Sequence, residues 1–301
     1  MRGLRLGTLT ALAIASLAIG AATAGPPANP RSLEGIWNFA TMTPLERPRE
    51  VAKAVLTPEE AAAYERQIIE RQSTTNNTAG PDWWDPGTRF LTHGRTSLIV
   101  EPSDGRLPGF TAEAQARNAE RAQARRARGP ADGPEDRALN ERCLSWAIAG
   151  PPMLPGVYNN NIQIIQTRDY VVIVNEMIHD ARIVPMDGRP HGTVPRWMGD
   201  SRGRWAANTL VVDTVGFTDK TSVRGSSERL HLVERFTRVS DDTIEYQFTA
   251  DDPTTWVAPW TAAFPLTRTN GPIFEYACHE GNERSMVGML RGARATEKEN
   301  Q

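Results

Sequence analysis

The chain has 301 residues, with 34 basic and 36 acidic side chains and a formal net charge of −2. That balance gives no electrostatic pull towards nucleic acid, and the length suits one large domain with a substantial core. Eight Trp and 22 Pro point to irregular loops held by aromatic side chains.

The first predicted element is a targeting segment. Arg2 and Arg5 form a short positive region, Leu9 to Ile19 is almost wholly apolar or small, and Ala22-Thr23-Ala24 supplies a cleavage signal. The apolar run is short for a bilayer span, and no cysteine sits just after the cleavage site. The expectation is export to the periplasm or the medium, a mature chain from Gly25, and no membrane attachment after cleavage. Cys143 and Cys278 then have access to an oxidising compartment. A bridge and two buried thiols are both open at this level.

Gly35 to Phe39 reads as a short first strand. Thr57-Pro58-Glu59-Glu60 opens a helix, with Thr as N-cap, Pro at the first position and Glu60 closing a capping box; it should run to about Gln72. Residues 73–94 read as loop and Ser97 to Val100 as a short strand. Thr111 to Arg128 is a second helix, rich in Ala and lined by five arginines, either an anionic contact surface or simply a solvated face. From Asn161 the texture becomes strand-like: NIQIIQT, YVVIVNEMI, ARIVPM, TLVVDTVGF, LHLVERFTRV, TIEYQFTA and IFEYACHE, punctuated by turn signals such as Asp187-Gly188 and Asp241-Asp242. Short strands with no helices between them predict a mainly β protein. The predicted fold is an antiparallel meander closing into a lipocalin-like barrel or half-barrel. The two helices belong to an irregular part, 25–157, and the strands to a β part, 158–293, of a single domain.

Strand alternation selects the candidate site residues. On 230–239, Glu234 shares a face with Leu232 and Phe236, and on 243–249 Tyr246 lies between Ile244 and Phe248. An inward carboxylate is costly without a partner, so Glu234 is either a catalytic base with a raised pKa or one half of an ion pair. Along 175–182, read as continuous strand, Glu176, Ile178, Asp180 and Arg182 share one face and His179 the other. A histidine at a pocket mouth suits general acid/base work; the alternative is an imidazole satisfied by a backbone carbonyl. Asn159-Asn160-Asn161 either orients a ligand or makes a left-handed turn. The predicted catalytic set is His179, Glu234 and Asp180, with Asn161, Arg182, Glu176, Tyr246 and His231 as substrate contacts.

The five histidines show no HExxH, and the chain has no CxxC, nucleophile elbow, P-loop or dinucleotide fingerprint. The expected protein therefore carries no cofactor and no metal. The leading expectation is an exported lyase or isomerase acting on a small, partly apolar, aromatic or terpenoid-like substrate. A lipocalin-type binding protein is the first alternative. A metal-assisted hydrolase, with His231 and His279 as contributors, is the second.

The strings GPPMLPGVYNNNIQIIQT, NEMIHDARIVPMDGRPH, GDSRGRW, TLVVDTVGFTDKT and LHLVERFTRV, in that order, resemble an uncharacterised family of exported bacterial proteins, common in soil and aromatic-degrading lineages. The resemblance spans about residues 31–293 and implies export, but no activity. One departure stands out: a turn expected as W-x-G-D-T-L reads Trp205-Ala206-Ala207-Asn208-Thr209-Leu210 here. Gly35-x-Trp37 also resembles the first strand of lipocalin-like barrels.

Overall fold

The computed structural model describes residues 25–299 apart from 75–86, 88–89, 92, 130–131, 147 and 221–222. The expected targeting segment and most of the 73–94 loop lie outside the described residues. Among those described, the strands are β1 (Gly35–Asn38), β2 (Ile99–Glu101), β3 (Asn161–Gln166), β4 (Tyr170–Asn175), β5 (Ala181–Pro185), β6 (Asp200–Ala206), β7 (Thr209–Val215), β8 (His231–Ser240), β9 (Thr243–Asp251) and β10 (Trp260–Arg268). Three helices accompany them: α1 (Pro58–Thr74), α2 (Ala112–Arg126) and α3 (Asn282–Glu299).

One antiparallel sheet contains all ten strands, in the order β5-β4-β3-β1-β10-β9-β8-β7-β6, with β2 on β10 beside that path. The chain thus lays down β3–β5 as one meander and β6–β10 as another, and β1 joins them by pairing with both β3 and β10. The two free edges, β5 and β6, curl towards each other. A Cβ on Gly203 of β6 would lie 2.9 Å from Val184 Cγ1 of β5, so only glycine permits this approach. The result is the expected mainly β, nearly closed, lipocalin-like barrel.

The Gly35-x-Trp37 signal works as a closure. Gly35 has φ 134 and lies against the Arg268 guanidinium. That guanidinium sits over the Trp37 ring, 4.4 Å from its centroid, a cation–π contact between the first and last strands. Trp37 is fully buried and donates its Nε1–H to Leu33 O at 2.9 Å.

The interior is packed rather than hollow. Rings of Phe236, Phe264 and Phe248 surround Tyr246 at centroid distances of 4.9, 5.1 and 5.9 Å. Trp260 extends the cluster through Phe248 and Trp256. The alternation that predicted inward Leu232, Glu234, Phe236, Tyr246 and Phe248 holds for every one of them. Their volume fills the centre of the barrel.

The capping box at α1 is formed: Thr57 N donates to Glu60 Oε2 at 3.0 Å and Glu60 N to Thr57 Oγ1 at 3.3 Å. Some predicted elements are displaced. IFEYACHE forms no strand; the segment crosses the barrel end as irregular chain before α3. The neighbouring β3 and β10 each already have partners on both sides, so no edge is open to it. α3 forms over Asn282–Glu299 although Gly288 and Gly292 lower its helix propensity. β10 forms although it carries Pro265, a residue that argues against a strand. Ala263 N donates to Leu98 O, and Pro265, two residues on, presents its missing N–H to the same side, in the gap between β2 and β1. β6 was quoted only as a motif, because Ser201 and Gly203 give its buried face no apolar signature.

The departure at the β6–β7 turn has a measurable consequence. Ala207 has φ 51, a left-handed conformation that costs a non-glycine residue about 1–2 kcal/mol. Ala207→Gly should raise the unfolding free energy by about 0.5–1 kcal/mol after glycine's own entropic cost, measured by urea denaturation. A loss of stability would show that the turn does not hold this conformation in solution.

Candidate functional site

The predicted site residues separate into three places. The first is the core. Arg182, on β5, and Glu234, on β8, form a two-pronged ion pair: Nη1 bonds Oε2, and Nη2 donates to Oε1 at 3.0 Å. Their side chains are 5% and 0% exposed, so neither meets solvent. Tyr246 Oη donates to Glu234 Oε1 at 2.7 Å and accepts Met153 N at 3.1 Å. Burial alone would lower the Arg182 pKa, but Glu234 outweighs it and holds the guanidinium above its ordinary range. Burial, reinforced by the Glu234 charge, holds the Tyr246 phenol well above its own. The inward Glu234 is therefore not the partnerless carboxylate that the catalytic reading needs, and Arg182 is committed to it.

The second place is the end of the barrel. β4 does not run on through 175–182, as the sequence reading assumed. It stops at Asn175, and Met177–His179 makes a tight turn in which Ile178 and His179 have φ 61 and 48. A β-branched residue in that conformation is strained. Ile178 is held there by burial in a small cluster with Ala149 and Met177, against which Trp146, Tyr158 and Tyr276 pack. The chain then reverses into β5, so the predicted faces for Asp180 and His179 do not apply.

Glu176, just before this turn, is 2% exposed. Its Oε2 accepts Asn161 Nδ2 at 2.7 Å and its Oε1 accepts Phe274 N at 3.0 Å. It thus ties the start of β3 to the segment that crosses the barrel end. Asn159 takes the left-handed turn position, φ 53, and Asn160 holds Gly156 through both its amide atoms. Two of the three amides therefore serve the turn, while Asn161 bridges Asn38 and Glu176.

These residues enclose a groove of about 880 Å³. Trp146, Tyr158, Phe274 and Tyr276 supply its aromatic surface, and Glu141, Glu176 and Glu275 its carboxylates. Trp146 meets Tyr158 edge-on, with centroids 5.9 Å apart. Burial and a hydrogen bond with Tyr276 push the Tyr158 phenol up to about 12. The Cys143–Cys278 disulfide, with Cα atoms 5.8 Å apart, pins the crossing segment to the 140s loop. Of the predicted residues, Asn161 and Glu176 line the groove. The aromatic surface was missed; its only trace in the sequence is the general abundance of Trp.

His179 and Asp180 lie beside this groove. His179 Nδ1 is 2.9 Å from Tyr276 O. A carbonyl only accepts, so Nδ1 carries the proton and Nε2 is the basic nitrogen. The His279 ring lies 6.5 Å away, centroid to centroid. Burial pushes the Asp180 carboxyl up to about 6, against the pull of His179, and its Oδ2 is buried without a hydrogen-bond partner.

That raised value fixes a sign. Between about pH 4 and 6 the folded chain holds the Asp180 proton more tightly than the unfolded chain, so the contribution of Asp180 to stability falls as pH rises through that window. The distance from 3.8 to about 6 sets a ceiling of about 3 kcal/mol, reduced by partial exposure. Asp180→Asn should therefore be more stable than the parent at pH 7 and level with it near pH 4. Denaturation at the two pH values tests this, and equal differences at both would refute it.

The third place is the outer face of β6–β8. His231 is not in the groove: its Nε2 lies 2.8 Å from Asp213 Oδ2. His191 Nε2 is 2.9 Å from the other oxygen of Asp213 and its Nδ1 3.3 Å from Asp200 Oδ2. Burial works to raise the Asp213 carboxyl, but the two histidines outweigh it and hold it below its ordinary range. Among the described residues, no group of three or more His, Cys, Asp or Glu side chains is placed to hold a metal ion. Nor is any helix there long and apolar enough to cross a membrane.

Fold and site together define a nearly closed antiparallel barrel with a filled interior and an aromatic-walled, acidic groove at one end. No protein-family model and no curated protein matches the chain. Among solved structures, it is similar to a secretary abundant heat soluble (SAHS) protein from Ramazzottius varieornatus. The match has 10% identity and a TM-score of 0.26, and covers 44% of this chain and 87% of that one. A likeness at that level carries no functional argument.

Proposed function

We propose that this is an exported small-molecule binding protein whose ligand sits in the groove at the barrel end rather than inside the barrel. One observation carries the reading: a groove of about 880 Å³ with four aromatic side chains along it, beside a barrel centre filled by its own rings. Cavities of that size and lining suit a drug-sized, partly apolar molecule. Export is supported by the disulfide, which is characteristic of oxidising compartments.

Titration with small aromatic and terpenoid compounds, followed by calorimetry, tests the reading. Saturable binding that Trp146→Ala weakens at least tenfold, with the fold intact by circular dichroism, is the expected result. Binding that ignores Trp146→Ala, or no binding by any of them, would refute it.

A second reading, a lyase or isomerase using acid/base chemistry, is favoured by a separate observation: His179 and the raised Asp180 sit together beside the groove. In this reading Asp180 takes the carboxylate role first given to Glu234. Turnover of a bound ligand that is lost in His179→Ala, with binding retained, would select it over simple binding.

A further inference from the structure

Resting on the groove being the binding site, we infer that its ligand is an organic cation: a ring-bearing quaternary ammonium or protonated amine. The argument starts from Glu176. Its carboxylate is 2% exposed, lines the groove, and its hydrogen bonds come from two neutral donors, Asn161 Nδ2 and Phe274 N. A buried charge is normally answered by an opposite one. The other buried glutamate described above, Glu234, has Arg182; among the described residues Glu176 is paired with no such cation. Each carboxylate oxygen can accept more than one hydrogen bond, so Glu176 keeps capacity towards the groove.

The rest of the lining agrees. Among the described residues that line the groove there is no Lys, Arg or His; His179, beside it, is turned to Tyr276 O. Two more carboxylates stand there: Glu141, neutralised by Arg137, and Glu275 on the exposed rim. Aromatic faces attract cations through their ring quadrupoles, and the groove supplies Trp146, Tyr158, Phe274 and Tyr276. The N-terminus of α3 also reaches the wall, at Asn282, and a helix N-terminus favours anions. Here Glu283 in its first turn answers that dipole, and the Asn282 amide is spent on Glu141 O and Cys143 Sγ. An anionic ligand would face the carboxylates of Glu176 and Glu275, with no basic side chain in the lining to receive it.

The test compares four probes, each by calorimetry against the full mature chain with its disulfide intact: phenyltrimethylammonium, its neutral carbon isostere tert-butylbenzene, the aromatic anion benzoate, and the neutral disaccharide cellobiose. The cation should bind at least tenfold more tightly than the isostere, with no detectable benzoate binding. Glu176→Gln should remove most of that preference. Because Glu176 also ties Asn161 to Phe274, the rim variant Glu275→Gln is the second measure. It should weaken the cation about twofold to threefold, and less so at high salt. Equal binding of cation and isostere, or tighter binding of benzoate or of a neutral disaccharide such as cellobiose, would overturn the inference while leaving the groove as a binding site. Failure of every probe would overturn both.

Discussion

Glu234→Gln should lose about 3–5 kcal/mol of unfolding free energy at pH 7, the usual cost of removing one partner of a buried ion pair. The variant leaves Arg182 with its charge in a site only 5% exposed, and water cannot reach it to compensate. An amide still offers one carbonyl oxygen, but it cannot receive both prongs of the guanidinium and the Tyr246 hydroxyl. Had the carboxylate been alone in the core, the sign would reverse, since removing an uncompensated charge stabilises. Urea denaturation separates the two, and unchanged or increased stability would contradict the pair. Replacing both partners, Arg182→Met with Glu234→Leu, should recover most of the loss, because no charge is then stranded; the Tyr246 oxygen still has Met153 N.

The same network shapes the alkaline limit. Tyr246 is held well above its ordinary value of 10.0. Above about pH 10 the unfolded chain gives up this proton and the folded chain keeps it. The folded state then binds more protons, so stability falls with rising pH by up to about 1.4 kcal/mol per pH unit. Tyr246→Phe should remove that component of the slope.

Breaking the disulfide should cost a comparable amount. Cys143 and Cys278 are 135 residues apart, and the loop they close spans every strand from β3 to β10. In the chain-entropy model a closure of that length stabilises by about 4–5 kcal/mol, by limiting the unfolded ensemble. Cys143→Ser with Cys278→Ser should lower stability by about that much. The bridge also anchors the segment that carries Phe274 and Tyr276, so the double variant should lose groove binding before it unfolds. Denaturation and ligand titration of the same sample check both. A loss below about 1 kcal/mol, or unchanged binding, would show that the segment holds its place without the bridge.

The strands were legible wherever one face alternates with the other. Leu232, Glu234 and Phe236 read as inward from three letters, because a two-residue period needs no knowledge of the partner strand. The α1 start was equally plain, since a capping box is satisfied within four residues. The misreadings came where a local signal was ambiguous. YVVIVNEMI continues its apolar run past Asn175, and nothing in it announces that Ile178 and His179 will turn left-handed. Pro265 disguised β10, because a proline argues against a strand until one knows that its face of the ladder is unpaired.

The amino-acid sequence by itself determined the class of fold, the inward position of Glu234 and Tyr246, and which two cysteines were available to bridge. Each follows from composition or from a period a few residues long. The tertiary structure alone decided what those residues meet. Arg182 reaches Glu234 across 52 positions of chain, because β5 and β8 face each other across the interior while belonging to different meanders. Glu176, Trp146 and Tyr276 share one groove because the segment after β10 crosses the barrel end and the disulfide holds it there. Whether a buried carboxylate is a base, half of an ion pair or the floor of a binding site depends on its partners. Those are set by strand order and by contacts 52 and 98 residues apart along the chain, which no short-range pattern encodes.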